Sequence, residues 1–192
     1  MKTHTITVIL LATLIIAAFA ANAGTSNRTQ QRDHFTELEV EQIKETQVLD
    51  KRIGVFVKTI ERRLRVLTGA TTDTAKQQKK DAELYGALPT GSRADLIGDI
   101  GKILDEAITN IDDVSSRDEK NPLIPTALRI LAGEAKRVVE QLQPFQGQAS
   151  SDAEVASIEQ VTENAESILA AANKLPPPVA KDKKKKQEKS SN

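Results

Sequence analysis

DHFTELEVEQIKETQVLDKRIGVFVKTIERRLRVL, residues 33–67, contains no proline and a single glycine, Gly54. Placed at about 100° per residue, Phe35, Leu38, Leu49, Ile53, Phe56, Val57, Ile60, Leu64 and Leu67 fall in one stripe roughly 100° wide, as in a helix that buries one face. The pattern predicts one helix of about 50 Å, terminated by Gly69. Glu37, Glu39, Glu41 and Glu45 crowd its first half, and Arg62, Arg63 and Arg65 its last turns, the order that complements a helix dipole. A thinner row, Val48, Val55 and Val66, lies on the far side and reads as scattered surface valine or as a contact with a connector helix or another subunit. Heptad spacing survives at Leu49, Ile53, Phe56, Ile60 and Leu67, but Arg63 occupies a d position, so a compact bundle ranks above a long coiled coil.

Downstream the pattern repeats. Residues 70–91 read as a polar connector with one short helix, capped within Thr71–Thr74 and running through Tyr85 to the interruptions at Gly86, Pro89 and Gly91. Ser92 and Asp95 form a capping box with Asp in place of Glu. Leu96, Ile97, Ile100, Ile103, Leu104, Ala107, Ile108 and Ile111 then give a second core helix to about residue 113. Asn121-Pro122 and Pro125 suit the opening of a third, with Leu128, Leu131, Ala135, Val138, Val139 and Leu142 on its face and Pro144, Gly147 and Ser150 breaking it. Ser151 and Glu154 cap a fourth, lined by Val155, Ile158, Thr162, Ala165, Ile168, Leu169, Ala172 and Leu175, and Pro176-Pro177-Pro178 ends it. Four such faces bury one another most economically in an all-α, antiparallel four-helix bundle with a long first helix.

Upstream, Lys2 precedes an uncharged run from Ile6 to Ala20, and Ala21-Asn22-Ala23 places small residues where a signal peptidase reads. The run falls short of the roughly 20 residues that span a bilayer, so cleavage after Ala23 and export to the periplasm or medium are expected, with no transmembrane segment in the mature chain. The domain plan is thus a signal peptide at 1–23, a flexible segment at 24–32, a bundle at 33–175 and a disordered Pro/Lys-rich tail at 176–192. Aromatics are 3% with no Trp, so the core must be aliphatic. Cysteine is absent, which excludes disulfides, thiolate metal sites and lipidated cysteine. The formal net charge of zero divides into an acidic body and a basic end, because Lys181, Lys183, Lys184, Lys185, Lys186 and Lys189 outweigh Asp182 and Glu188.

No catalytic motif stands out. His34 is the only histidine after the leader and reads as a solvated polar residue. A carboxylate-bridged metal site would need Glu-x-x-His on two helices, so no metal and no cofactor are expected. Glu41 and Glu45 share a face and read as surface solvation. A serine triad lacks its base and its turn. Asp105, Asp112, Asp113 and Glu134 leave a small carboxylate-dependent hydrolase as the third-ranked reading, weakened by the scarcity of aromatics to hold sugars. Gly98 and Gly101, inside the second helix, predict close approach of a neighbouring helix, with a hinge as the functional alternative, and on that reading Gly101→Ala should clash. Gly54 and Gly133 pose the same question singly. Asn27-Arg28-Thr29 matches a glycosylation acceptor.

The lysines of the tail suit anionic lipid head groups or envelope polymers. Nucleic acid is not expected, since the tail carries no aromatics for stacking. An exported chain of long helices with a lysine-rich end resembles, in outline only, trimeric periplasmic chaperones whose helical tentacles hold unfolded outer-membrane proteins. The leading expectation is a non-enzymatic exported helical bundle, a binding or structural module of the cell envelope whose protein or envelope partner the sequence leaves open. A holdase-like chaperone comes second.

Overall fold

Residues 33–67 form two helices, not one. In the computed structural model, which describes residues 33–70 and 74–177, α1 spans Glu37–Glu45 and α2 spans Leu49–Thr68. Thr46 and Val48 between them take extended backbone angles, and Arg52 Nε donates to Thr46 O at 2.7 Å across the turn. On a continuous helix Glu39 and Arg62 would stand about 35 Å apart. Here Arg62 Nε donates to Glu39 Oε1 at 3.0 Å, so α1 has folded back onto α2. The start of α1 is written locally: Thr36 and Glu39 form a reciprocal capping box, with Thr36 N donating to Glu39 Oε2 at 3.0 Å. Leu38, which the single-helix stripe placed inward, is 40% exposed, while Phe35 packs on Phe56 with ring centroids 6.0 Å apart.

The remaining helices are α3 (Ala75–Tyr85), α4 (Arg93–Arg117), α5 (Ile124–Gln146) and α6 (Asp152–Asn173), with no strand among the described residues. Capping boxes open α3 at Thr74 with Gln77 and α4 at Ser92 with Asp95. α4 runs four residues beyond the expected Asp113, and α5 carries Pro144 within its last turn instead of stopping before it. At α6, Ser151 Oγ accepts from Glu154 N as expected. The Glu154 carboxylate turns instead to Ser150 N at 3.1 Å, so the box is only half made.

Helices α2, α4, α5 and α6 share the core: α4 and α5 each pack against both α2 and α6, and meet one another more sparingly across the middle. Directions follow from side-chain pairs. Arg52 reaches Asn110 and Arg63 faces Asp99, so α2 and α4 are antiparallel. Arg129 at the start of α5 donates to Pro176 O beyond the end of α6, so these two are antiparallel as well. Gly98 lies beside Ser157 and Gly101 beside Val161, so α4 and α6 are parallel neighbours. Consecutive core helices therefore alternate in direction, as expected, but not every adjacent pair is antiparallel. The core is mostly aliphatic, with Ile53, Ile60, Ile97, Ile100, Ile103, Leu104, Leu131 and Val138 fully buried beside one ring, that of Phe56. Each such side chain contributes about 1.5–3 kcal/mol relative to exposure. Of the far-side valines Val48 and Val66 are exposed, whereas Val55 is buried.

Two glycines are fixed by backbone geometry. Gly69 ends α2 with φ 65 as the sequence predicts, and Gly86 ends α3 at φ 71, ψ −157, a region that essentially only glycine occupies. Gly98 and Gly101 do mark close approach of α6, where Asn164 Nδ2 also donates to Gly101 O at 2.9 Å. A methyl at Gly101 would meet Val161 Cγ2 at 3.4 Å, ordinary van der Waals contact, so the expected clash of Gly101→Ala does not follow. Gly54 and Gly133 have nothing within 4 Å of that position and mark no approach.

Candidate functional site

The most elaborate polar constellation lies where α1, α2, α3 and α4 meet, and its centre is two adjacent arginines. Arg62 is 0% and Arg63 1% exposed, and Glu39 beside them is 0% exposed. Burying guanidinium without partners costs several kcal/mol per ion, and every guanidinium nitrogen here but Arg63 Nε has a hydrogen-bond partner. Arg63 forks onto Glu39, with Nη1 to Oε1 at 2.7 Å and Nη2 to Oε2 at 2.8 Å. It also donates to Thr59 O and to His34 O, and its Nε lies 3.8 Å from Asp99 Oδ2 on α4. Arg62 Nη1 donates to Asp81 Oδ2 of α3 at 2.7 Å.

The other face of Arg62 closes the end of α3. Its Nη2 donates to Tyr85 O, Gly86 O and Ala87 O at 3.1, 3.2 and 2.5 Å. These carbonyls lie at the negative pole of α3, where a cation is favoured. The glycine-only geometry of Gly86 lets the chain turn there. The Tyr85 ring lies under the guanidinium carbon at 5.6 Å. Burial, followed by the neighbouring Asp81 carboxylate, pushes its phenol above the usual value.

From this centre ion pairs run outward. Lys58 joins Asp81 at 3.1 Å to Glu61 at 3.5 Å. Arg137 of α5 then bridges Glu61 at 3.1 Å and Glu134 at 2.8 Å. Burial holds the Glu134 carboxyl above its ordinary range, against the pull of Arg137. The network thus ties α1, α3, α4 and α5 to α2. Its acceptors are carboxylates and carbonyls of the chain itself, so it is built as a brace.

A second brace sits at the start of α4, less than two turns before Asp99. Arg93 donates to Gln148 O at 2.8 Å and to Glu154 Oε2 at 3.0 Å, and lies over the Phe145 ring at 5.5 Å. The Arg93 hydrogen bond, then that of Ser150, holds the Glu154 carboxyl below its usual range. Next to it, between the end of α5 and the start of α6, is an open groove of about 450 Å³. Ala149, Val155 and Ile158 supply its apolar floor, and Glu159 and Glu163 its rim.

The residues singled out in the sequence do not converge on a reaction centre. Asp105, Asp112 and Asp113 are exposed on α4, whereas Glu134 is buried on α5 with Arg137. Glu41 and Glu45 are exposed. His34 is not simply solvated: its Nε2 lies 3.1 Å from Glu106 Oε2, and its ring sits 4.4 Å from that of Phe35. Among the described residues no group of three or more His, Cys, Asp or Glu is placed to hold a metal ion, and no helix is long and apolar enough to cross a membrane. Ala21, Ala23, Asn27 and the lysines 181, 183, 184, 185, 186 and 189 lie outside the described residues.

The arginine centre escapes a reading by helical periodicity, which treats Arg62 and Arg63 as basic ends of a long helix. Two signals do point to it. Thr36-x-x-Glu39 is a capping box that starts a helix, and Arg63 sits at a d position of the apolar stripe, where a charge must find a partner. No protein-family model, curated protein or solved structure matches the chain.

Proposed function

We propose that the chain is an exported, non-enzymatic helical bundle that serves as a binding or structural module of the cell envelope, made with a leader cleaved after Ala23 and ending in a lysine tail that meets anionic surfaces. The observation that carries the non-enzymatic part is the inward pairing of Arg62 and Arg63. In the strongest polar cluster of the described residues, five of the six guanidinium nitrogens donate to carboxylates and carbonyls of the same chain and the sixth, Arg63 Nε, faces Asp99 at 3.8 Å, an arrangement that holds helices together instead of aiming donors at a position where charge would develop in a reaction. Export is supported by the leader pattern of Lys2, the run from Ile6 to Ala20, and the small residues Ala21 and Ala23.

A holdase-like chaperone is the second reading, favoured by the exposed leucines of the α1–α3 cap, Leu38, Leu84 and Leu88, which are 38–40% exposed. Fractionation with intact-mass measurement, followed by sizing and dye binding on the recovered protein, tests both. The envelope-module reading expects a species beginning at Gly24 outside the cytoplasm, monomeric and without enhancement of a hydrophobic dye. A trimer that strongly enhances the dye supports the chaperone instead. Material retained in the cytosol with residues 1–23 attached refutes export altogether.

A further inference from the structure

The outer face of α6 carries Glu159, Glu163 and Glu166 at spacings of four and three residues, one exposed line along the helix. None of the three meets a cation among the described residues, in contrast to the buried acids Glu39, Asp81, Asp99, Glu134 and Glu154. At its upper end the line becomes the rim of the groove whose floor is Ala149, Val155 and Ile158, with Val155 42% exposed. An apolar floor between carboxylates suits lysine: the methylene stem lies on the hydrocarbon while the ammonium reaches the rim.

We propose that the occupant of this face is the chain's own segment Lys181–Lys189, folded back along α6. Charge complementarity supports it, since six lysines against Asp182 and Glu188 meet an acidic line on an acidic body. So does reach. Pro177 is the last residue described, and Arg129 fixes Pro176 O beside the start of α5, at the end of α6 from which the line is approached. From there Glu166, Glu163 and Glu159 lie back along the helix by about 15, 20 and 26 Å at 1.5 Å per helical residue. An extended chain advances about 3.3 Å per residue, so the stretch after Pro178, about 36 Å to Lys189, is long enough to reverse direction and run along a line of about 26 Å. Alternate side chains of an extended strand point the same way every 6–7 Å, against rises of about 6 Å from Glu159 to Glu163 and about 4.5 Å from Glu163 to Glu166. The lysines of this segment therefore come within reach of the three glutamates.

Surface ion pairs of this kind are individually weak and screened by salt, so the attachment is reversible. An anionic surface then competes with α6 for the same lysines, and this contact stands or falls independently of the envelope reading.

The chain has no cysteine, so Gln187→Cys provides one attachment point for a nitroxide spin label on the full chain. The readout is broadening of backbone amide signals in two-dimensional NMR. At low ionic strength the signals of residues 155–166 are expected to lose at least half their intensity while the exposed face of α4 around Asp112 does not. The loss is expected to disappear in 0.5 M NaCl, and in the Glu159→Gln/Glu163→Gln/Glu166→Gln variant, whose unchanged core signals report that the bundle is intact. Equal broadening over all exposed surfaces, broadening that persists in the triple variant, or its absence at low salt overturns the proposal.

Discussion

Glu39→Gln removes one charge and no volume from the centre of the fold. Glu39 accepts four hydrogen bonds, from Arg62 Nε, Arg63 Nη1, Arg63 Nη2 and Thr36 N. An amide keeps one acceptor oxygen and turns two donors toward a guanidinium that is 1% exposed. Arg63 is then left with Asp99, 3.8 Å away, as its remaining carboxylate. Breaking a buried pair from one side costs about 3–5 kcal/mol, because the surviving charge stays buried without compensation. For a domain of about 140 residues each kcal/mol moves Tm by about 3 °C, so the expected drop is about 10–15 °C by calorimetry or far-UV circular dichroism. α1 packs against α2 and α3 and not against α4, α5 or α6 to a comparable extent. The variant therefore has a second route, releasing α1 while the core holds, and in that case amide exchange in residues 37–45 accelerates before the rest. Either outcome agrees with a brace. A Tm within about 3 °C of wild type together with unchanged exchange in α1 refutes the assignment of Glu39 as the anion that holds two buried arginines.

Gly54→Ala and Gly133→Ala each replace a helical glycine with open space around the new methyl, and each is expected to stabilise by about 0.8–1 kcal/mol in chemical denaturation. Gly101→Ala, with its nearest neighbour at 3.4 Å, is expected to be neutral or stabilising by up to about 1 kcal/mol, and a loss beyond 1 kcal/mol refutes the spacing described between α4 and α6. Gly86→Ala behaves oppositely: φ 71, ψ −157 is costly for any other residue, and Leu38 Cδ1 stands 2.9 Å from the new carbon, so a destabilisation of about 1–3 kcal/mol is expected. Glu154→Gln tests the second brace through pH. Arg93 and Ser150 hold this carboxyl below its ordinary 4.5, so its contribution is present above pH 4.5 and is lost as the pH falls through the lowered value. The gap in Tm between wild type and variant should accordingly be widest near neutrality and close in acid, and a gap that stays constant down to pH 2 refutes the pairing.

Local rules carried the sequence reading a long way. Ser92 with Asp95, the apolar stripe of α4, Pro125 at the start of α5 and Gly69 at the end of α2 all stand where periodicity and capping put them, because each depends on residues within one or two turns. The reading failed where a distant partner decided. The stripe from Phe35 to Leu67 fits one helix as well as two, since Leu38 falls on its face by coincidence and nothing in a 3.6-residue period records the turn at Thr46–Val48. Only the burial of Arg62 and Arg63 breaks the tie. A straight helix would leave both arginines without Glu39, whereas the reversal supplies it 23 residues upstream of Arg62.

The placement of charge also explains how a core with almost no aromatic area holds a defined shape. Aliphatic side chains of similar volume interdigitate in several registers at small cost, so an Ile, Leu and Ala seam specifies a bundle more strongly than it specifies one bundle. Arg63 adds what the seam lacks. Its fork accepts Glu39 in one orientation, its other donors require Thr59 O and His34 O, and a slip of α1 by one turn along α2 would move Glu39 about 5.4 Å away. Such a slip takes Glu39 from both buried arginines and leaves Arg63 with only Asp99 at 3.8 Å as its carboxylate, a penalty larger than the difference between alternative hydrocarbon packings. Replacing Glu39, Arg62 and Arg63 together by Leu, Met and Met separates specification from stability. If the charges set register, the α1 amide signals of the triple variant broaden or double, whereas the loss of Arg62 and Arg63 from Asp81 and Asp99 shows separately as a lower Tm. A triple variant with one sharp set of α1 signals at wild-type positions would show that the hydrocarbon seam alone selects the arrangement.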